Sequence, residues 1–308
     1  MTTWLIITRA VHFGSCLLLF GLMAFDRLVA PAFARRPSEI VGYWEARLRL
    51  FVFLLLPIIF ISWAAWFALV AMTMSGEPLQ MQILKIVWSQ TLFGAVWKIR
   101  LMFLLAAAAL SFLLKPHSRH RPFAAWSQLA AGGCLLGTLA WAGHGQEDSR
   151  WHLYADVLHL IAAGVWPAGL VPLFLLLRQS RRAAASTDWP SISGLVRRFS
   201  LVSLAAVSLL AATGFVNSLF LVGTLSNLVG DVYGRWLLAK IILFCAAVAI
   251  AAVNLLRLKP RLLNESSQPE KALMTAAQLQ RNVHLELFLG AAVIIIVAVL
   301  GILPPAQH

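Results

Sequence analysis

The chain has 308 residues, of which 60% are hydrophobic and only 12% are charged, and its mean hydropathy is +0.82. These values lie far outside the range of soluble globular domains and indicate an all-α, polytopic membrane protein. A formal charge of +13 would suggest a nucleic-acid partner for a soluble protein. The distribution of this charge among the loops, described below, excludes a nucleic-acid-binding protein.

Eight apolar stretches are long enough, at roughly 20 residues each, to cross a bilayer as helices. They are predicted near residues 4–25, 50–73, 97–114, 124–143, 152–177, 200–222, 235–256 and 283–303. The first is not predicted to be a signal peptide, because "MTTW" supplies no basic segment before the apolar run. The loops between spans are all short, so no separate soluble domain is expected.

The loops fall into two classes by charge. Eighteen of the 25 Lys and Arg residues lie in the loops 26–49, 115–123, 178–198 and 257–282, and three lie in the loops 74–96, 143–151 and 223–235. This is the positive-inside pattern, so both termini and residues 143–152 are predicted to face outward, to the periplasm. The basic loops lack the interleaved aromatic residues of a nucleic-acid surface and are expected to bind anionic lipids.

The sequence carries an internal repeat. A shift of 147 residues aligns Trp4 with Trp151, His12 with His159 and Arg9 with Asp156. The third and seventh spans match more loosely, "GAVWKIRL" at 94–101 against "YGRWLLAK" at 233–240. Two four-helix halves, 1–145 and 146–308, are therefore predicted. Each half has an even number of spans, so the two form a parallel repeat about an axis along the membrane normal.

The two aligned histidines are the strongest candidates for a metal site. His12 and His159 each lie eight residues after a tryptophan, which predicts both at about 12 Å below the outer surface. A pseudo-two-fold axis would bring them together as a central pair, and Cys16, one turn after His12, would add a soft ligand. The alternative is that each histidine is a hydrogen-bonded packing residue. Arg9 and Asp156 are predicted to form a structural ion pair, since each would otherwise be an uncompensated charge in the membrane.

The outer surface carries further soft and borderline metal ligands. Met72 and Met74 lie at the outward end of span two, and His144 and His152 lie in and next to the loop 143–151. Thioether and imidazole groups suit copper better than they suit hard cations. These four residues are predicted to feed copper toward the paired histidines, while interfacial packing remains the alternative for the methionines.

Several segments resemble the copper resistance D (CopD) family. They are "RAVHFGSCLLLFGLMAFDRLVAPAF" at the start, "DVLHLIAAGVWPAGLVPL" at 156–173, "RRFSLVSLAAVSLLAATGFVNS" at 197–218, "YGRWLLAKIILF" at 233–244 and "NVHLELFLGAAVIIIVAVLGILPPA" at 282–306. The resemblance implies an eight-helix inner-membrane protein that takes copper from the periplasm into the cytoplasm. It also implies a periplasmic copper carrier of the copper resistance C type as partner.

One segment departs from the family pattern. Members commonly read "GxWxGGL" after the histidine of span five, whereas this chain reads "GVWPAGL", with Pro167 and Ala168 in place of the usual residues. A proline at this position is predicted to kink the helix below His159.

Two other functions stay open at the level of sequence. Four cations lie inside the predicted spans, Arg9, Lys98, Arg100 and Lys240, and they would suit the propionates of a b-type haem whose axial ligands are His12 and His159. The second alternative is a membrane scaffold in which polar residues join helices, namely Ser208, Thr213, Asn217 and Asn254.

Enzymatic functions are not expected. The chain has no Walker A loop, nucleophile elbow or zincin helix, so transport would be passive or coupled to another gradient. His284 and Glu286 open span eight at the inner side, as an exit point or as an interfacial pair.

Overall fold

The computed structural model describes residues 2–32, 39–113, 121–142 and 150–306, and these ranges contain helices and turns but no strand. The predicted residue His144 lies outside the described residues. The helices are α1 (Thr2–Leu28), α2 (Glu39–Ser75), α3 (Met81–Gln90), α4 (Leu92–Leu113), α5 (Arg121–Gly137), α6 (Arg150–Val165), α7 (Leu170–Arg182), α8 (Trp189–Leu221), α9 (Leu225–Gly230), α10 (Val232–Val253), α11 (Lys259–Glu265) and α12 (Pro269–Leu300). A five-residue π-helix, Asn254–Leu258, joins α10 to α11.

Eight helical segments in the described ranges are long and apolar enough to cross a membrane, which confirms the predicted all-α membrane fold. Several helices extend beyond the predicted spans on the side of the basic loops. The clearest is α12, which begins at Pro269 and not near residue 283. Hydropathy marks only the apolar part of a helix, whereas the backbone hydrogen bonds continue into the polar part.

We call the side of the bundle that carries the basic loops the basic end and the other side the opposite end.

Two short helices at the opposite end were not predicted as separate elements. α3 precedes α4, and α9 precedes α10. At each junction a glycine packs against the backbone of the short helix, Gly94 against Val87 and Gly234 against Asn227. A Cβ atom at either glycine would collide with a carbonyl oxygen, so only glycine permits these close approaches.

The helix of the fifth span is broken at residues 166–169, between α6 and α7. Pro167 has no amide hydrogen, and the Ala163 carbonyl is approached instead by the Ala168 amide at 3.4 Å. Gly21 of α1 packs closely here, because a Cβ atom on it would lie 2.6 Å from Cβ of Ala168. The residues that depart from the family pattern therefore lie at a real interruption of the helix, where α1 crosses.

α1 makes the largest share of the packing between the two halves of the chain, and α5 also packs on α6. α1 packs against α2 and α5 in the first half and against α6 and α12 in the second. Within the halves, α4 packs on α5, α6 on α8 and α10 on α12. Large exposed apolar side chains such as Phe53, Phe112 and Phe215 lie on the outside of the bundle, as expected for a surface that faces lipid.

Candidate functional site

His12 lies near the start of α1 and is fully enclosed. Its Nδ1 atom is 2.8 Å from Oγ of Ser62 on α2. The Ser62 hydroxyl donates to the Ile58 carbonyl oxygen at 2.7 Å, so it accepts from the imidazole, and Nδ1 carries the ring hydrogen. The lone pair of His12 therefore lies on Nε2. Trp66, also from α2, packs edge-on against the ring with centroids 5.5 Å apart.

The Nε2 atom of His12 faces the thiol of Cys16. The Nε2–Sγ distance is 3.7 Å, and Cys16 is 2% exposed. Such a separation fits two ligands of one ion at a roughly tetrahedral angle, given zinc-like bond lengths of about 2.0–2.1 Å to nitrogen and about 2.3 Å to sulfur. The structure thus brings together the two residues whose i, i+4 spacing placed them on one face. A thiol and an imidazole are a donor pair that suits copper.

Arg100 on α4 makes the third polar contact to the His12 ring, after Ser62 and Cys16. Its Nη2 atom is 2.6 Å from Nε2, and its Nη1 atom donates to the Leu135 carbonyl oxygen and to the Thr138 hydroxyl at 3.2 and 2.9 Å. A guanidinium group only donates, so Nε2 accepts this hydrogen bond. A metal ion that binds Nε2 must therefore displace Arg100. We call His12, Cys16, Ser62 and Arg100 the first histidine centre.

His159 on α6 has an equivalent hydroxyl contact in the second half. Its Nδ1 atom is 3.0 Å from Oγ1 of Thr213 on α8, and Thr213 donates to the Leu209 carbonyl oxygen at 2.6 Å. Here too Nδ1 carries the hydrogen and Nε2 the lone pair. The ring lies over Gly214, where a Cβ atom would be 3.4 Å from Cε1 of His159. Unlike His12, His159 is only partly buried.

Charged and amide groups surround His159. Asp156, one turn earlier on α6, accepts a hydrogen bond from the Asn217 amide at 3.2 Å. Its carboxyl group interacts electrostatically with Lys240 on α10 and with His152, and Lys240 also interacts with His159. We call His159, Thr213, Asp156 and Lys240 the second histidine centre.

The predicted ion pair between Arg9 and Asp156 does not form among the described residues. The Arg9 guanidinium lies 4.7 Å from the ring centroid of Trp66 and packs against the backbone of Gly301, just after α12. Asp156 is instead held by Asn217 from α8. The aromatic face and the carbonyl end of α12 give the buried cation favourable neighbours without a carboxylate.

The two histidines bond to side chains of different helices. His12 bonds to side chains of α2 and α4, whereas His159 bonds to α8. The contacts therefore define two groups of residues, one in each half, and the central pair of His12 and His159 stays a prediction. The common element is an imidazole whose Nδ1 is fixed by a hydroxyl, as in metal-binding histidines whose second nitrogen is oriented by a hydrogen bond.

The predicted outer residues have different environments. Met72 is partly buried near the end of α2, while Met74 is exposed there. His152 is enclosed and stacks on Phe220, with ring centroids 4.9 Å apart and an angle of 9° between the planes. His152 therefore lies beside Asp156 of the second histidine centre, and Met74 faces the surroundings.

A site of three or more His, Cys, Asp or Glu ligands is not found in the part of the chain that the structure describes. The donors that come together are the nitrogen and sulfur of His12 and Cys16.

The sequence alone does not identify the roles of Ser62 and Trp66 of α2, and it predicts only helix packing for Thr213. The available signal was a hydroxyl inside an apolar span, because such a group seeks a partner in the membrane.

Comparisons with known proteins identify the family. The family described as "Copper resistance protein D-like, N-terminal domain" matches residues 1–152, and the family described as "Copper resistance protein D" matches residues 193–300. Copper resistance protein D of Pseudomonas syringae pv. tomato is 31% identical over 98% of this chain and 97% of its own length. The chain belongs to the copper resistance D family.

Two further relatives are a copper transport protein and an inner membrane protein. Copper transport protein CutJ of Bacillus subtilis is 29% identical over 70% of this chain, which corresponds to 37% of the CutJ length. Inner membrane protein YebZ of Escherichia coli is 26% identical over 98% of both chains. No solved structure shows a significant match to this member of the copper resistance D family.

Proposed function

We propose that this copper resistance D family member binds copper and moves it across the bacterial inner membrane, from periplasm to cytoplasm, as a transport protein and not as an enzyme. The observation that carries the proposal is the His12–Cys16 pair, whose Nε2 and Sγ atoms lie 3.7 Å apart inside the membrane. The fixed Nδ1–H form of both histidines directs a lone pair on Nε2 toward a metal. The relatives named for copper resistance and copper transport favour copper as that metal.

Copper would pass from the second histidine centre to the first. Met72, Met74 and His152 at the opposite end, together with His144, are the proposed feeders. The second centre includes a carboxylate, Asp156, that attracts a cation. The first centre offers sulfur, which retains Cu(I).

The opposite end is proposed to face the periplasm, as are both termini. This orientation follows from the excess of Lys and Arg in the loops of the basic end. The exposed thioethers of Met74 and Met81 at the opposite end would receive copper from a periplasmic carrier of the copper resistance C type. Two substitutions at exposed positions, Ser75→Cys and Ser267→Cys, test the orientation in a variant that lacks the native cysteines. If intact spheroplasts are labelled at Ser267→Cys and not at Ser75→Cys, the proposed orientation is reversed.

Anionic lipids are the proposed partners of the basic end. Arg178, Arg181 and Arg182 cluster at the end of α7, where Arg181 donates to the Gln280 side chain at 2.6 Å. Such a cluster at a membrane surface attracts anionic headgroups.

Copper binding is tested by titration of the purified protein in nanodiscs with chelator-buffered Cu(I). We expect bound copper to fall in the His12→Ala, His159→Ala double variant. The matched control is His284→Ala, which removes an exposed histidine that packs on Phe174 at the basic end. Unchanged copper in the double variant, with a fold like that of the wild type, would reject the two centres.

Transport is tested in proteoliposomes that contain a Cu(I)-responsive dye. The wild type is expected to admit copper faster than liposomes with the double variant. The same purified protein also tests the alternative that His12 and His159 bind haem. A stoichiometric Soret band that the two histidine substitutions abolish would replace copper with haem.

A further inference from the structure

A cavity opens within the second half, toward the basic end, and none of its lining residues belongs to either histidine centre. It lies between α8 and α10, is closed by α7 and α12, and has a volume of about 130 Å³. Most of its wall is aliphatic or aromatic. The polar residues that line it are Trp166, Ser200, Ser203, Asn254 and Glu286.

Glu286 is the acidic group of this cavity and is 2% exposed. The Asn254 amide donates to its Oε1 atom at 2.6 Å, and the Asn282 amide donates to Oδ1 of Asn254 at 2.8 Å. This chain of hydrogen bonds fixes the orientation of the Asn254 amide. The Trp166 indole also interacts with the Glu286 carboxyl group. His284, the other polar residue that opens span eight, is exposed and packs on Phe174.

The carboxyl group faces neutral neighbours. Among the residues that line the cavity, Glu286 is the only one that titrates in the accessible pH range, and the contributions of α7, α8 and α10 are serine and apolar side chains. No cation of the described residues lies within ion-pair distance of it. An isolated carboxylate is costly in such surroundings, and a bound proton removes that cost.

Three further observations support a polar ligand in this cavity. The Ser203 hydroxyl is 8% exposed and has no hydrogen-bond partner, although it lines the same space as Glu286. The volume is sufficient for several water molecules. In addition, the π-helix Asn254–Leu258 begins at the residue that binds Glu286, and π-helical turns occur frequently at functional sites.

α12 connects this cavity to the first histidine centre. Glu286 lies on α12, and the other end of that helix leads to Gly301, against which Arg9 packs. Arg9 in turn covers Trp66, and Trp66 contacts His12. A displacement of α12 when Glu286 gains or loses a proton would reach His12 through these packed groups.

We propose that Glu286, with Asn254, Ser203 and cavity water, is a proton-binding site that couples copper movement to the proton gradient. The step is the formation and cleavage of one O–H bond on the carboxyl group, with no electron transfer. This coupling rests on the transport function proposed above. Because the sequence has no Walker A loop, copper transport would use another source of energy or run downhill.

The coupling is tested by copper entry into proteoliposomes with an imposed pH gradient while potassium and valinomycin clamp the membrane potential. Wild-type entry is expected to change at least about fivefold with the direction of the gradient. Glu286→Gln keeps the shape and an oxygen that accepts from Asn254 but does not titrate, so its entry is expected to be insensitive to the gradient. Glu286→Asp is expected to retain part of the response. The matched control is Glu270→Gln, an exposed acid on the same helix.

The outcomes separate the two proposals. Copper entry that ignores the gradient in the wild type, or that still follows it in Glu286→Gln, overturns the coupling and leaves copper transport intact. No copper entry under any gradient overturns transport and coupling together. Infrared titration then examines the proton site by itself. A carboxylic-acid band that titrates in the wild type and is missing in Glu286→Gln supports the site, and identical spectra overturn it.

Discussion

The two histidine centres share one anchoring scheme and differ in charge. In both, Nδ1 of a histidine in the first helix of a half donates to a hydroxyl from the next long helix, Ser62 or Thr213. Around His12 the nearby charges are the cations Arg9 and Arg100, without an acid in ion-pair contact among the described residues. Around His159 the carboxyl group of Asp156 is present as well as Lys240.

The hydroxyl that anchors each histidine and the charges around it therefore serve separate purposes. The hydroxyl determines which imidazole nitrogen is available to a metal. The charges determine how readily a cation arrives and what it must displace. In the proposed transport path, the first centre, enclosed and in contact with Arg100, would retain copper, and the partly buried second centre would admit it.

The largest expected effect is the loss of a binding site when a histidine is removed. His12→Ala is expected to abolish Cu(I) binding at the first centre and to leave the second unchanged, and His159→Ala is expected to do the reverse. Copper stoichiometry in nanodiscs measures both. A single substitution that removes all bound copper would show one shared site and break the comparison.

The anchoring hydroxyls are expected to have the next largest effect, and a similar one in both halves. Ser62→Ala and Thr213→Val leave the Nδ1–H donor without its acceptor, which should weaken copper affinity about 10–100-fold, as for other groups that orient a metal-binding histidine. Competition with a Cu(I) chelator provides the measurement. Affinity that falls in one variant only would mean that the two anchors are not equivalent.

Arg100 is expected to distinguish the centres. Arg100→Met removes the donor that competes with copper for His12 Nε2, and a charge-assisted hydrogen bond of about 1.5–3 kcal/mol corresponds to affinity at least about tenfold higher. Lys240→Met, the matched change in the second half, should alter His159 affinity by less, since Lys240 makes no hydrogen bond to His159 among the residues that the structure describes. Weaker copper binding in a well-folded Arg100→Met variant would assign Arg100 a supporting role.

The smallest expected effect concerns the rate of copper entry. Asp156→Asn keeps an oxygen that accepts from Asn217 but removes the negative charge of the second centre. Copper should then bind about two- to fivefold more slowly, and the difference should shrink at high ionic strength. Stopped-flow mixing at two salt concentrations is the measurement. Equal rates for variant and wild type at low salt would remove Asp156 from the entry path.

Much of the candidate site was accessible from sequence where the relation between residues is local. His12 and Cys16 were placed together because four residues make about one turn of a helix. Ser62 and Arg100 could not be assigned to His12, since they lie on α2 and α4, and an apolar helix can rotate about its axis without changing its hydropathy. The Arg9–Asp156 pair was wrong for the same reason. Repeat positions do not specify which helix each side chain faces.

The sequence alone determined the membrane fold and the number of spans, because burying a backbone in hydrocarbon requires apolar helices of a set length. It also determined the charge asymmetry of the loops and the family. Only the tertiary structure decided that Arg100 occupies His12 Nε2, that Arg9 covers Trp66, and that Glu286 lines a cavity with Asn254 and Ser203. These contacts depend on the angles at which helices cross and on the rotation of each helix about its axis. Close packing between distant segments determines both, and hydropathy does not.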